Sequence, residues 1–83
     1  MSDKKQIGVV TRYFGKIGVA AIKLSHPLKV GQTISIEGGT TSFEQKVASM
    51  QVNRKDIAEA GPGQEIAIKV ADRVRENDKV FAI

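Results

Sequence analysis

The chain has 83 residues, no cysteine and a net charge of +4, and 41% of its residues are hydrophobic. A chain of this length supports one hydrophobic core rather than two, because small domains bury a limited share of their surface. Without cysteine, a disulfide framework and a thiolate metal site are excluded, and apolar burial must hold the fold together.

The distribution of charge and hydrophobicity favours a cytoplasmic location without membrane contact. The sequence begins MSDKKQ, which lacks the apolar region of a secretory signal, and no apolar stretch approaches the ~20 residues that span a bilayer. Residues 1–31 carry six basic side chains against one acidic one, whereas residues 32–83 carry seven against eight. This uneven charge permits contact with an anionic partner.

The first two predicted strands are Ile7–Phe14 and Ile17–Leu24, where apolar residues recur at a spacing of two. Gly15 lies between them and is free to adopt the positive φ of a tight turn. We expect residues 1–6 to form a flexible N-terminal tail and residues 7–83 to form a single domain.

Residues 25–31 contain Pro27 and are too short for a helix, so we expect a loop pinned by two apolar side chains, Leu28 and Val30. The strand that follows, Gln32–Glu37, has alternating isoleucines that point inward.

The next run, Thr41–Val52, changes its inward phase, and a one-residue bulge near Ala48 or Ser49 would explain the change. Residues 53–62 are polar and turn-rich, which predicts a connector with at most one helical turn. The last two predicted strands are Gln64–Val70 and Lys79–Ile83.

Six alternating strands without an amphipathic helix leave two ways to bury an apolar face, a sandwich or a closed barrel. The predicted bulge, the glycines within strands and the short length favour the barrel. The sequence therefore predicts an all-β fold, a small closed antiparallel barrel of six to seven strands.

Four short motifs follow one another along the chain in a characteristic order. Leu-Lys-Val-Gly stands at residues 28–31, Ser-Met-Gln-Val at 49–52, Glu-Ala-Gly-Pro-Gly at 59–63, and Arg-Glu-Asn-Asp-Lys-Val at 75–80. In order and spacing they resemble the second domain of translation elongation factor Tu and its archaeal and eukaryotic counterparts. The resemblance implies a stand-alone barrel of the translation-factor domain 2 type.

The same resemblance implies a non-enzymatic module that binds tRNA, another RNA or a translation-related protein. In that family a basic residue after the corresponding strand lines the pocket for the 3′ end of aminoacyl-tRNA, and Arg54, between Asn53 and Lys55, falls at this position. The alternative is a solvated loop cation. The family's acidic pocket residues have no counterpart here, since residues 8–10 are Gly-Val-Val.

Basic and aromatic residues also alternate around the first predicted turn, where Arg12 and Lys16 flank Tyr13 and Phe14. Such a pattern is typical of stacking platforms for single-stranded RNA. The alternative is that one of the aromatic residues belongs to the core and the cations only flank it. The complete set of predicted RNA-binding residues is Arg12, Lys16, Asn53, Arg54 and Lys55.

The sequence contains no pattern that predicts catalysis. His26 is the single histidine and would have to serve any serine nucleophile alone, and no nucleophile elbow is present. It is also poor material for a metal site without cysteine. No phosphate-binding loop occurs, so the chain is not expected to bind GTP by itself. We predict a protein that is not an enzyme and has no metal or cofactor.

A second hypothesis of a different class remains open. Similar barrels also occur appended to enzymes, including some peptidases, so the chain could be a protein-interaction or accessory barrel domain with no nucleic-acid role.

Overall fold

The computed structural model describes residues 5–39 and 41–83, and every regular element in that part of the chain is a β-strand. The prediction of a small all-β domain is therefore confirmed. The strands are β1 (Lys5–Phe14), β2 (Val19–Leu24), β3 (Leu28–Lys29), β4 (Thr33–Glu37), β5 (Ser42–Lys46), β6 (Met50–Val52), β7 (Lys55–Ile57), β8 (Glu59–Ala60), β9 (Glu65–Lys69) and β10 (Lys79–Ala82).

Eight of these strands form one sheet in the order β5-β4-β10-β1-β2-β9-β6-β7, and β3 pairs with β8 in a small second sheet. All the pairs are antiparallel. Within residues 5–39 and 41–83, no backbone ladder joins β5 at one end of the sheet to β7 at the other. Backbone pairing therefore does not close this sheet into the ring that the sequence predicts.

The core is built from the inward side chains of successive strands. Ile22 on β2, Ile36 on β4 and Ile66 on β9 are each buried, as period-two alternation predicts. Other strands and loops add further buried apolar side chains, among them Val10, Leu24, Leu28, Ile34, Val47, Met50, Ile68, Val74 and Val80. This burial leaves the outward residues of β2 and β9 to form a surface.

The start of β1 has two irregularities that bend it. Its register shifts between Gln6 and Gly8, where it pairs with β10, and between Val10 and Arg12, where it pairs with β2. Bulges of this kind increase the local twist and curl a sheet. Residues 1–4, most of the predicted tail, lie outside the described residues, and Lys5 already pairs with Ala82 in β1.

Gly8 allows β1 and β2 to approach each other closely. A Cβ atom at this position would lie 2.7 Å from the Lys23 carbonyl oxygen and 3.0 Å from Ile22 Cγ2.

The turn between β1 and β2 depends on a different glycine from the one predicted. Gly18, with φ of 66°, has the left-handed conformation, and Gly15 does not.

The predicted bulge at Ala48 or Ser49 is wrong. The run divides into two separate strands, β5 and β6, and residues 47–49 between them have no regular structure. Val47 is held there by backbone hydrogen bonds, because its N–H donates to the Gln32 carbonyl and its own carbonyl accepts from Gly31 N–H. The phase change in the sequence thus marks a passage between different places in the sheet.

Two further details differ from the prediction. The polar connector contains strands β7 and β8 rather than a helical turn, and the expected apolar pin Val30 is 39% exposed, whereas Leu28 is buried. A sequence rich in Asp, Glu and Lys obscures short edge strands, because their side chains are mostly solvated.

Nothing in the described part of the chain forms a helix with the length and apolar character needed to cross a membrane.

Candidate ligand-binding groove

A row of outward residues crosses four strands of the sheet. Arg12 on β1 pairs with Ala21 on β2, Ala21 pairs with Ala67 on β9, and Ala67 pairs with Gln51 on β6. The two alanines in the middle are small and only partly covered. They therefore form a shallow floor between the longer side chains of Arg12 and Gln51.

One end of this floor is apolar. Phe14 pairs with Val19 in the row next to the alanines, and Ile17 lies in the turn that joins their strands. Phe14 is 44% exposed and Ile17 is 65% exposed. Large apolar side chains in contiguous exposed positions mark binding surfaces more often than isolated ones do.

The opposite end carries a cationic turn. Strand β6 runs antiparallel to β9, so the two-residue loop after Val52, made of Asn53 and Arg54, lies toward the Glu65 end of β9. Asn53 and Arg54 have φ values of 52° and 65°. Positive φ at both central residues is the pattern of the tight type I′ hairpin turn, in which glycine usually holds the second position. Arginine there is unusual and places a guanidinium beside the floor.

Together these residues line a groove of about 760 Å³ on the outer face of the sheet. The lining residues are Arg12, Phe14, Ile17, Val19, Ala21, Gln51, Asn53, Arg54, Glu65, Ile66 and Ala67. We call this surface the β2–β9 groove. Its size is within the range typical of sites for small molecules or short segments of chain.

The charges in the β2–β9 groove are not paired with one another. The carboxylate of Glu65 accepts a 2.7 Å hydrogen bond from the Thr11 hydroxyl. Within the described ranges, neither Arg12 nor Arg54 has an ion pair or a side-chain hydrogen bond. Two guanidinium groups, each with five N–H donors, therefore face solvent at the groove.

The structure brings together three of the five predicted site residues. Arg12, Asn53 and Arg54 line the β2–β9 groove although 41 residues or more separate Arg12 from the other two in sequence. Lys16 and Lys55 are exposed but are not among its lining residues. The predicted pair of aromatic residues divides, with Tyr13 packed against the core and Phe14 exposed.

Sequence reasoning missed the apolar residues of the groove. In the sequence these residues resemble ordinary strand residues; they are Ile17, Val19, Ala21 and Ala67. The predicted strand Ile17–Leu24 includes Ile17, which lies in a turn in the structure. The sequence holds a signal for two of them. Val19, Ala21 and Lys23 alternate with the inward residues of β2, so Val19 and Ala21 are apolar residues at outward positions. These positions become visible only when Ile22 and Leu24 are known to point inward.

The described residues offer little to support catalysis or metal binding. Ser25 Oγ lies 3.2 Å from His26 Nδ1, yet nothing else in the described part of the chain hydrogen-bonds this ring. A serine hydrolase needs its histidine oriented by a third group. Among these residues, no three His, Cys, Asp or Glu side chains cluster in a way that could hold a metal ion.

Comparison with known proteins relates the chain to proteases. It is 43% identical over 81 residues to an uncharacterized protease of Methanocaldococcus jannaschii, covering 96% of this chain and 20% of that protein. It is 35% identical over 81 residues to a collagenase of Porphyromonas gingivalis, covering 95% of this chain and 22% of that protein. The chain thus spans about a fifth of the length of these relatives. No protein-family model matches it.

Solved structures show the same fold. The C-terminal domain of a putative U32 peptidase of Geobacillus thermoleovorans superposes with a TM-score of 0.90 and 17% sequence identity, covering 95% of this chain and 92% of that one. Its selenomethionine variant superposes with a TM-score of 0.88 and 18% identity, covering 92% of this chain and 96% of that one. At these identities the likeness establishes the fold alone.

These findings overturn the assignment to the elongation factor Tu domain 2 family. Proteins matched over nearly the whole chain are named as proteases or a collagenase, and the matched fold is a peptidase C-terminal domain. The interpretation as a translation-factor-like module is therefore wrong. The motifs that suggested it, such as residues 28–31 and 59–63, each combine a two-residue strand with a turn, which a different small β-domain can also contain.

Proposed function

We propose that this chain is an accessory, non-catalytic domain that binds protein on behalf of a protease, either within one polypeptide or as a separate partner. The observation that carries the proposal is the match over 81 residues to about one fifth of the M. jannaschii protease at 43% identity. The solved C-terminal domain of the putative U32 peptidase supports it, since a unit of this fold and extent stands as a domain there.

A binding role without catalysis fits the residues at hand. The Ser25–His26 contact is between sequence neighbours and lacks an orienting carboxylate among the residues described. The β2–β9 groove contains arginines and apolar side chains but no serine, cysteine or histidine among its lining residues. Such a surface can hold a ligand, and the carboxylate among its lining residues, Glu65, accepts a hydrogen bond from Thr11.

We further infer that the sheet wraps into a barrel whose seam is held by side chains instead of a backbone ladder. Gln45 on β5 donates from Nε2 to the Lys69 carbonyl at 2.8 Å and accepts from Ala71 N–H at 2.7 Å. One amide thus joins β5 to the last residue of β9, Lys69, and to Ala71 just after it. This contact supports the prediction that the sheet curves into a barrel.

The cytoplasmic location, the lack of membrane contact and the lack of GTP binding stay predictions. RNA binding through Arg12, Lys16, Asn53, Arg54 and Lys55 was inferred with the help of the translation-factor resemblance, and it loses that support. Three of these residues, Arg12, Asn53 and Arg54, line the β2–β9 groove.

A chimeric protease tests the proposed function. The segment of the P. gingivalis collagenase that aligns with this chain is either deleted or replaced by this chain, and cleavage of gelatin and of a short fluorogenic peptide is compared with the intact enzyme. We expect deletion to lower kcat/KM for gelatin more than for the short peptide, and replacement to restore it. The 83-residue chain alone should cleave neither substrate.

Two results would count against the proposal. Cleavage of gelatin by the deletion variant at the rate of the intact enzyme would show that the domain contributes nothing to protein substrates. Hydrolysis of the short peptide by the isolated chain, abolished by His26→Ala, would show that the domain is itself a catalyst.

A further inference from the structure

We infer that the β2–β9 groove binds an extended peptide segment that carries a large apolar side chain and, four residues away on the same face of the segment, an acidic side chain. The inference rests on the proposed function and specifies its ligand. The apolar side chain lies at the Phe14 and Ile17 end, and the carboxylate lies between Arg12 and Arg54.

The apolar end gives the ligand an anchor. Phe14 and Ile17 are 44% and 65% exposed, and Val19 lies beside Phe14 in the next strand. Burial of an apolar ligand side chain against them removes apolar surface of both partners from water. A leucine or phenylalanine side chain suits this end because the free energy gained increases with the apolar area that is removed from water, and both side chains are large and apolar.

The cationic residues select an acidic partner. Arg12 and Arg54 lack ion-pair partners among the residues described, whereas Glu65 in the same groove is already engaged by Thr11. A guanidinium binds a carboxylate through two parallel N–H donors, which fixes orientation as well as charge. The charge that the groove still lacks is therefore negative.

The dimensions of the groove set the length of the segment. From Arg12 on β1 to Gln51 on β6 the row crosses three gaps between neighbouring strands. With strands about 4.8 Å apart, the row is about 14 Å long, which is the span of roughly four extended residues. The small side chains of Ala21 and Ala67 let the backbone of such a segment lie close to the sheet.

The same surface is a poor fit for RNA. Binding of single-stranded RNA depends on aromatic side chains that stack on successive bases. Phe14 is the single aromatic residue among the lining residues that the structure describes, and the floor is aliphatic. The Glu65 carboxylate would also repel a phosphate backbone. Protein is therefore the class of ligand that the groove favours.

Fluorescence anisotropy with the 83-residue chain tests the inference. The probe is a labelled peptide, acetylated and amidated at its ends, with the core Leu-Ser-Gly-Ser-Glu, which places Leu and Glu on the same face of an extended chain. Two control peptides replace Glu by Gln or Leu by Ser, and a ten-nucleotide uridine oligomer represents RNA. We expect the Leu-Ser-Gly-Ser-Glu peptide to bind about tenfold more tightly than either control at low salt. The Gln control loses a charged hydrogen bond, and the Ser control loses the burial of an apolar side chain.

Matched variants locate the site. R12Q combined with R54Q should weaken binding of the acidic peptide about tenfold and leave the Gln peptide unaffected, and Phe14→Ser with Ile17→Ser should weaken both peptides. K16Q combined with K55Q removes the same charge from exposed residues outside the groove and should change affinity less than about twofold. Circular dichroism of each variant excludes unfolding as the cause.

Three results would overturn the inference: equal binding of the acidic and Gln peptides, an equal loss with the two lysine substitutions, or tighter binding of the uridine oligomer than of any peptide. The gelatin assay separates this failure from failure of the proposed function. If the chimera carrying R12Q, R54Q and F14S still restores gelatin cleavage, the accessory role stands and the groove inference falls.

Discussion

The Thr11 hydroxyl donates a 2.7 Å hydrogen bond to the carboxylate of Glu65, which lies two strands away in the same sheet. Thr11 is the residue that the bulge in β1 leaves without a partner on β2, and its hydroxyl also lies 3.2 Å from the Ala21 carbonyl. The bulge therefore places a hydroxyl at the edge of the β2–β9 groove. This contact occupies the acidic group that would otherwise compete for the two arginines.

Replacing Thr11 with valine removes this hydroxyl and keeps the shape of the side chain. We expect the free energy of unfolding to fall by about 1 kcal/mol, because a partly exposed hydrogen bond to a carboxylate is lost. Binding of the acidic peptide should also weaken, since Glu65 becomes free to approach the arginines. Urea denaturation and anisotropy measure the two effects, and Thr11→Ser, which keeps the hydroxyl, is the control. Equal stability of both variants would contradict the assigned contact.

The two hydrogen bonds of Gln45 to the backbone at the end of β9 lead to a separate prediction about stability. Gln45→Ala removes two hydrogen bonds to the backbone near residue 70 and should lower the free energy of unfolding by about 1 to 2 kcal/mol. Gln51→Ala removes one side-chain hydrogen bond, to Asp56, and should cost less. Urea unfolding followed by circular dichroism compares the two. An effect of Gln45→Ala no larger than that of Gln51→Ala would show that the seam contributes little.

Two glycines give a matched test of the close approach between β1 and β2. Gly8→Ala puts a methyl group 2.7 Å from the Lys23 carbonyl, and we expect it to lower stability by about 1 to 3 kcal/mol through overpacking. Gly39→Ala meets no atom within 4 Å and should have little effect. Thermal denaturation of both variants checks this. Similar melting temperatures would mean that β1 and β2 are not in tight contact at Gly8.

Arg54 should carry a conflict between stability and binding. Arg54→Gly relieves a positive φ of 65° and should raise the free energy of unfolding by about 0.5 to 1 kcal/mol, even though glycine is more flexible in the unfolded chain. The same change should weaken binding of the acidic peptide. Arg54→Ala keeps the strain and should lose affinity without gaining stability. A stabilised Arg54→Gly variant that retains full affinity would remove Arg54 from the site.

The sequence predicts much of this fold because burial alternates with the period of a strand. Ile22, Ile36 and Ile66 are buried where the pattern places them. The order of the strands in the sheet and the breaks between them depend on long-range contacts, such as those of Gln45 with residues 69 and 71, and no local pattern reports those. For this reason the local pattern at residues 47–49 predicts a bulge, whereas these residues connect two strands at different places in the sheet.

The groove was predictable only in part. Arg12, Asn53 and Arg54 stood out by their charge and turn chemistry, but their proximity comes from the pairing of β2 with β9 and of β9 with β6. The pairing of Ala21 with Ala67 has no signal in the sequence, since the two alanines form a floor only as cross-strand neighbours. The hypothesis of protein binding depends on that floor. The resemblance to translation factors implies a binding role for charged and polar residues alone.

The most direct test of the account is an NMR titration of the ¹⁵N-labelled 83-residue chain with the Leu-Ser-Gly-Ser-Glu peptide. The account predicts saturable chemical-shift changes in the amides of Phe14, Ile17, Ala21, Ala67 and Arg54, and none of comparable size around Thr41 and Arg75 on another surface. Changes centred on that other surface, or no saturable change at millimolar peptide, would contradict it.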